Sequence, residues 1–143
     1  MEHIILASAS PRREYFFRLL GLPFTVIPAM IDETPSLDLT PVEAARDLAL
    51  KKVMAVNLKT NCKWVFGADT IVVLERKIFG KPASRETAGE MLGSLSGKKH
   101  DVITAMALLN NESQRTDIRC VSAGVEMAKL GKKIGRASCR ERV

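Results

Sequence analysis

Short apolar runs alternate with amphipathic segments along this chain, and the alternation predicts a mixed α/β fold. Brief runs rich in β-branched or aromatic residues are typical of buried strands, whereas apolar residues recurring at helical spacing are typical of helices. The expected order is β-α-β-α-β-β-α-β-β. The predicted strands are residues 3–7, 24–27, 64–74 (two apolar runs around Asp69), 78–79, 100–109 and 114–127, with turns at 75–77 and 110–111.

Local signals mark where the three predicted helices begin and end. Ser10 before Pro11 is an N-cap followed by a first-turn proline, and Thr40-Pro41-Val42-Glu43 is a capping-box pattern. The helices are expected to end at Gly21, near Asn57 and near Leu95, the last of them beginning after Ser84. The first helix carries an apolar stripe of Tyr15, Phe16, Leu19 and Leu20, and the second is expected to bury Val42, Ala45, Leu48, Ala49 and Val53.

Composition narrows the class of protein. The 143 residues are 46% hydrophobic and 27% charged, as expected of one globular domain rather than a disordered chain. No apolar run approaches the roughly 18 residues of a membrane span, and no secretory signal is visible. Cys62, Cys120 and Cys139 are an odd number without a CxxC pair, which indicates a reducing cytoplasm and opposes a disulfide or zinc framework.

The net charge of +6 indicates a polyanionic partner, and part of this charge lies at the C-terminus. The last ten residues, IGRASCRERV, hold three arginines and one glutamate and have no periodic pattern. One interpretation is a solvated basic tail. The other follows from a resemblance of this string to the in-frame translation of a common sequencing adapter. We adopt the second interpretation, which divides the chain into a domain at residues 1–133 and a non-native tail at 134–143.

The first candidate site is an anion-binding loop. Ser8, Ser10, Arg12 and Arg13 gather where a predicted strand ends and a helix begins. Unpaired N–H groups at a helix N-terminus favour anions, and arginine offers bidentate donors suited to phosphate. The alternative is that Ser10 only caps the helix and that the arginines are solvated.

The second candidate site is acidic. Asp69 interrupts an apolar stretch, and a carboxylate there is expected to hold a divalent metal or to act as a general base. A turn aspartate that bonds backbone groups is the competing interpretation. Asp32 and Glu33 could join Asp69 around Mg²⁺, although two acidic residues in a loop more simply serve solubility.

The sequence allows either a ligand-binding or a structural role for two lysines. Lys81, in Gly80-Lys81-Pro82, occupies a constrained turn from which it could reach phosphate, but a plain turn is the preferred interpretation of this segment alone, and no Walker A pattern occurs. Lys52 borders the apolar face of the second helix, where a solvated ammonium on a snorkelling stem is the default.

Together these segments resemble the Maf family of nucleotide pyrophosphatases. The resemblance covers about residues 4–130 and rests on six pieces in the same order. They are ILASASPRR at 5–13, Asp32-Glu33, the LAxxK pattern at 48–52, GADTIV at 67–72, Gly80-Lys81-Pro82, and ML…LSGKKHDVIT at 91–104.

The resemblance implies an elongated mixed α/β fold, flanked by helices, with a central cleft and often a homodimer. It implies hydrolysis of nucleoside triphosphates between the α- and β-phosphates, in the cytoplasm, with Mg²⁺ or alternatively Mn²⁺. Asp69 would accept the proton of water, and Glu33 and Asp69 would hold the metal. The triphosphate would be held by Ser8, Ser10, Arg12, Arg13, Lys52 and Lys81.

The resemblance also carries an expectation about the base. Arg13 and Thr70 match positions tied to base preference, and Asp69 followed by Thr70 is similar to the branch that acts on dTTP and UTP. The family continues past this chain with a DKAG…IQG segment, so a nucleotide-binding module that has lost catalysis is the first alternative. A basic nucleic-acid-binding domain is the second, and the aromatic content of 5% counts against it.

Overall fold

The computed structural model describes residues 2–131, so the predicted tail at 134–143 lies outside the described residues. Within residues 2–131 there are six strands and three helices in the predicted order, which confirms the mixed α/β fold. Their bounds are β1 Ile4–Leu6, α1 Pro11–Leu19, β2 Phe24–Val26, α2 Pro41–Asn57, β3 Trp64–Leu74, β4 Lys77–Phe79, α3 Arg85–Leu95, β5 Lys99–Asn110 and β6 Arg115–Glu126.

The six strands of the described region form one sheet in the order β2-β1-β3-β5-β6, with β4 paired to β3. The central β1 is parallel to both neighbours, with Ile4 opposite Phe24 on one side and Trp64 on the other. Parallel strands need long crossover connections, and α1 supplies the one between β1 and β2. The β3–β4 pair is antiparallel and closes through Glu75 and Arg76, which both have positive φ.

The chain divides into two compact units. Among the described residues, the first comprises 2–70 and 104–121 and contains β1, α1, β2 and α2. The second comprises 71–103 and 122–131 and contains β4 and α3. The strands β3, β5 and β6 each pass from one unit into the other. All but one of the predicted site residues belong to the first unit.

Within the first unit, α1 and α2 contact opposite faces of β3. Successive strand side chains point to opposite faces, so Phe66 and Gly67 differ in what they meet. The Phe66 ring lies 5.1 Å from that of Phe17 on α1, centroid to centroid. A Cβ on Gly67 would lie 2.7 Å from Cγ2 of Val53 on α2. The helix α2 therefore approaches this strand more closely than any side chain larger than hydrogen permits.

The capping box and most of the predicted buried face of α2 are confirmed. The Thr40 hydroxyl accepts from the Glu43 backbone N–H at 3.3 Å, and the Thr40 N–H donates to Glu43 Oε2 at 2.8 Å. Val42 is the error, because it is 42% exposed at the second position of the helix. The buried residues of α2 are Ala44, Ala45, Leu48, Ala49, Lys52, Val53 and Val56.

The apolar stripe of α1 is not a buried face. Phe17 is the buried residue of this helix, and its ring contacts Phe24 and Phe66. The nine-residue helix turns that single side chain to the sheet. The stripe residues Tyr15, Phe16, Leu19 and Leu20 are 55–67% exposed.

Two smaller expectations also change. The strand β3 continues through Asp69 instead of breaking there. The turn between β5 and β6 spans 111–114 rather than 110–111, because the Asn110 side chain accepts from the backbone N–H groups of Glu112 and Ser113.

Candidate active site

The structure joins three predicted site residues in one charged cluster. The Lys52 ammonium lies 2.8 Å from Asp69 Oδ1 and 2.7 Å from Glu33 Oε1. It also donates to the Ala68 carbonyl at 3.3 Å. Helix α2, strand β3 and the loop after β2 each contribute one of the three charged groups.

The lysine of this cluster is buried, so the default interpretation of a solvated Lys52 is wrong. Its side chain is 7% exposed, and that of Asp69 is 9% exposed. Burying an ammonium is costly unless it is paired and hydrogen-bonded, and here two carboxylates and a carbonyl provide that compensation. The close approach of α2 to Gly67 brings Lys52 within reach, because Asp69 points to the same face of β3 as Gly67.

One oxygen of the buried aspartate has no such compensation. Asp69 Oδ2 is buried and has no hydrogen-bond partner among the described residues. Buried polar atoms are almost always paired, so an orphaned carboxylate oxygen in a cluster of charges indicates a place for a proton, a water or a cation. The turn-aspartate interpretation is excluded, because Asp69 lies inside β3.

A second group of contacts lies on the other face of β3. Arg13, on α1, donates from Nη1 to the Ser8 hydroxyl at 3.3 Å and from Nη2 to the Thr70 hydroxyl at 3.1 Å. Ser8 is 5% exposed and also accepts from the Ser10 N–H at 3.2 Å. The loop and the first turn of α1 are therefore tied to the residue that follows Asp69.

The Arg13 guanidinium is partly withdrawn from water, and this desolvation lowers its pKa. The negative charges of Asp69 and Glu33 oppose that effect and raise the same pKa. Arginine stays charged at any ordinary pH, so the consequence is a fixed positive charge whose field reaches the carboxylate cluster.

The remaining anion-loop residues have solvent access. Ser10 is the N-cap residue of α1 by position, but its side chain makes no capping hydrogen bond, so the interpretation in which Ser10 only caps the helix does not hold. Arg12 is exposed. An unused hydroxyl and an exposed guanidinium beside a helix N-terminus suit a bound anion.

Two predicted residues remain, Lys81 and Asp32. Lys81 is exposed in the loop between β4 and α3, in the second unit, and its role stays a prediction. Asp32 accepts from the backbone N–H of Thr34 at 2.9 Å. Hydrogen bonding from the Thr34 side chain and then from this backbone N–H lowers the pKa of the Asp32 carboxyl group. Asp32 is thus a loop-stabilising residue, whereas its neighbour Glu33 joins the cluster.

Sequence reasoning missed one polar residue here. The Thr104 hydroxyl, on β5, lies 3.0 Å from the Thr70 hydroxyl. Thr104 follows the alternation of β5, in which Ile103 and Ala105 are buried on one face. A polar residue opposite Thr70 on the neighbouring strand was the available signal, but it requires the strand pairing to be known.

Fold and site together define an α/β protein in which a buried aspartate, a half-buried glutamate, a buried lysine and an arginine-bearing helix N-terminus converge on one strand. Such a set can bind an anion and hold a proton acceptor beside it. Residues 3–140 match the model of a family described as Maf-like protein. The chain belongs to that family.

Named relatives agree with this membership. The chain is 43% identical over 118 residues to a dTTP/UTP pyrophosphatase of Pelotomaculum thermopropionicum, covering 82% of this chain and 62% of the relative. It is 43% identical over 114 residues to a dTTP/UTP pyrophosphatase of Symbiobacterium thermophilum, covering 80% of this chain and 59% of the relative. The chain thus spans about three fifths of the length of these relatives.

The fold also resembles a solved structure, that of the Staphylococcus aureus Ham1 protein. The TM-score is 0.61, the sequence identity is 17%, and the match covers 87% of this chain and 71% of that one. At this identity the likeness shows the fold alone. Among the described helices, none has the length and apolarity to cross a membrane.

Proposed function

We propose that this chain is a nucleoside triphosphate pyrophosphatase that hydrolyses dTTP and UTP to the monophosphate and pyrophosphate. The observation that carries the proposal is the buried pair of Lys52 and Asp69 with the half-buried Glu33, joined through β3 to the Arg13–Thr70 contact. The names of the relatives, dTTP/UTP pyrophosphatase, agree with it.

The proposed base is Asp69. Lys52 holds Oδ1 of this carboxylate and leaves the buried Oδ2 as the acceptor. In hydrolysis, water attacks the α-phosphorus, Asp69 takes a proton from the water, and the bond from the α-phosphorus to the bridging oxygen breaks. The electron pair leaves with pyrophosphate.

The proposed phosphate ligands are the positive and hydroxyl groups around α1, together with two lysines. A triphosphate carries about four negative charges, and phosphoryl chemistry depends mainly on positioning and charge stabilisation. Arg13, with its pKa lowered by desolvation yet still charged, supplies a fixed donor fork. The full proposed set is Ser8, Ser10, Arg12, Arg13, Lys52 and Lys81.

A divalent cation, Mg²⁺ or alternatively Mn²⁺, fits the carboxylates of this cluster. Mg²⁺ binds through one or two carboxylates plus substrate phosphates, and the carboxylates of Glu33 and Asp69 meet at the Lys52 ammonium. Glu33 and Asp69 would hold the ion, which would supply neutralising charge to the phosphates. No group of three or more acidic, histidine or cysteine residues suited to a metal exists within residues 2–131, so this ion would depend on the substrate for further ligands.

The preference for the nucleobase is proposed to depend on Arg13 and Thr70, whose side chains are hydrogen-bonded at 3.1 Å.

The remaining proposals concern cellular location and assembly. We propose that the protein is cytoplasmic, that it forms a homodimer, and that it makes no stable contact with nucleic acid. The free thiols of Cys62 and Cys120 agree with a reducing compartment.

The test measures pyrophosphate release from dTTP, UTP, CTP and GTP with Mg²⁺ and triphosphate binding in its absence. We expect release from dTTP and UTP, about a hundredfold or more slower in Asp69→Asn. Asp47→Asn is the matched control, because Asp47 lies on α2 in an exposed pair with Lys51. Binding without release would favour the module that has lost catalysis, and salt-sensitive binding of DNA would favour the nucleic-acid-binding alternative.

A further inference from the structure

The hydroxyls of Thr70 and Thr104 form a pair in which Thr70 has a proposed role and Thr104 has none. They lie 3.0 Å apart on β3 and β5, which are neighbours in the sheet. Thr70 is also the acceptor for Arg13 Nη2 at 3.1 Å. A chain of contacts therefore runs from β5 through β3 to the guanidinium on α1, entirely within the first unit.

Donor and acceptor rules restrict this chain. A guanidinium can only donate, so Thr70 Oγ1 gives one lone pair to Arg13. Each hydroxyl has one proton, and one of the two protons of the pair is used between them. Either hydroxyl can be the donor of that bond, so the proton that the pair does not use belongs to whichever hydroxyl accepts. In both cases the contact with Thr104 holds Thr70 Oγ1 in place beside Arg13.

The position of Thr104 argues against a mainly structural role. Its neighbours Ile103 and Ala105 are 5% and 0% exposed, whereas Thr104 is half-buried and lies on the opposite face of β5. A valine has nearly the same shape as threonine and would cover the same apolar surface. The hydroxyl is what distinguishes this residue.

We propose that Thr104 is a positioning residue that fixes the Thr70 hydroxyl, and through it the Arg13 guanidinium, for discrimination between nucleobases. The effect on base discrimination rests on the proposed function, whereas the contact between Thr104 and Thr70 does not. Loss of one neutral hydrogen bond corresponds to about a three- to tenfold change in an equilibrium constant. We expect the preference for dTTP and UTP over CTP and GTP to fall by that factor, mainly through KM, with kcat for dTTP little changed.

The experiment compares Thr104→Val and Thr104→Ser with the unaltered chain. The control is Thr25→Val, the same change on β2 of the same unit, where the hydroxyl lies 2.7 Å from the His3 ring. One measurement is KM and kcat for the four nucleotides. The other, independent of activity, is the nitrogen NMR signal of the Arg13 guanidinium, assigned with Arg13→Lys, together with thermal unfolding.

The inference is supported if Thr104→Val shifts or broadens the Arg13 signal and lowers the base preference. Thr104→Ser should restore the signal and the preference, and Thr25→Val should leave the signal and the preference unchanged. An Arg13 signal unchanged in Thr104→Val would overturn the inference, whatever the kinetics. So would an unchanged base preference in an active chain. If the unaltered chain neither binds nor cleaves triphosphates, the proposed function fails, and the Arg13 signal alone decides whether Thr104 positions that side chain.

Discussion

Two adjacent lysines on α2 show how strongly surroundings determine what one residue type does. The side chain of Lys51 is 57% exposed and pairs with Asp47 one turn earlier on the same helix. The side chain of Lys52 is 7% exposed and pairs with two carboxylates from other segments. An exposed pair of the first kind contributes little, whereas removing one partner of a buried pair leaves an uncompensated charge.

We predict that Lys52→Met lowers the free energy of unfolding by about 3–5 kcal/mol, because Asp69 stays buried without its cation. The matched change Lys51→Met should cost no more than about 0.5 kcal/mol. Urea unfolding at neutral pH measures both. The double variant Lys52→Met/Asp69→Asn should recover part of the loss. Equal losses in the two single variants would show that Lys52 is not buried as an ion.

The residue scale also marks where sequence reasoning stops. Asp69 stands out in the sequence because its neighbours are apolar, and the structure confirms that its environment is unusual. Lys52 does not stand out, because a lysine beside an apolar helix face is ordinary. Its partners Glu33 and Asp69 come from other segments, and only the folded chain brings them to one ammonium. The contact between Thr70 and Thr104 was hidden for the same reason.

At the scale of elements, the packing of α2 on β3 determines the geometry of the cluster. The carbonyl of Ala49 and the side chain of Val53 lie so near Gly67 that a Cβ there would come within 3.3 Å and 2.7 Å of them. One of these neighbours is backbone and the other is a stiff β-branched side chain, so neither moves easily. The glycine allows Lys52 to reach the strand.

We predict that Gly67→Ala lowers the free energy of unfolding by about 1–3 kcal/mol through overpacking. It should also weaken triphosphate binding, because α2 must shift away from Asp69. Gly89→Ala is the control: a Cβ at this position of α3 meets nothing within 4 Å, and alanine favours a helix by about 0.5–1 kcal/mol over glycine. Chemical denaturation checks both. A stabilising Gly67→Ala would disprove the close approach.

Elements were predictable where their signals are local. The capping box of α2 needs only Thr40 and Glu43, and it appears as predicted. The buried face of α1 depends on what covers the helix, and the apolar stripe seen in the sequence is its exposed side. Phe17, outside that stripe, is the residue that packs on the sheet. A pattern within one helix cannot say which of two apolar sides meets the rest of the chain.

At the scale of the whole chain, the predicted order of helices and strands is correct because each element has its own local signal. The order of the strands in the sheet and the boundaries of the two units depend on pairing between distant segments, which no local signal shows.

The exposed apolar stripe of α1 also belongs to the scale of the whole chain. Tyr15 and Leu19 are one turn apart, as are Phe16 and Leu20, so the four make one apolar surface. Extended exposed apolar surfaces mark sites of association.

We predict that the chain self-associates as its concentration rises. The double variant Phe16→Gln/Leu19→Gln should suppress this association, because it removes from one surface two apolar side chains that are 55% and 64% exposed. Leu37→Gln/Leu58→Gln is the matched control, since it alters two leucines that are 102% and 88% exposed but belong to different segments. Sedimentation velocity over a range of concentrations measures association, and circular dichroism verifies the fold. A monomer at every concentration would contradict the prediction, and so would equal suppression by the control, because isolated exposed leucines should contribute little.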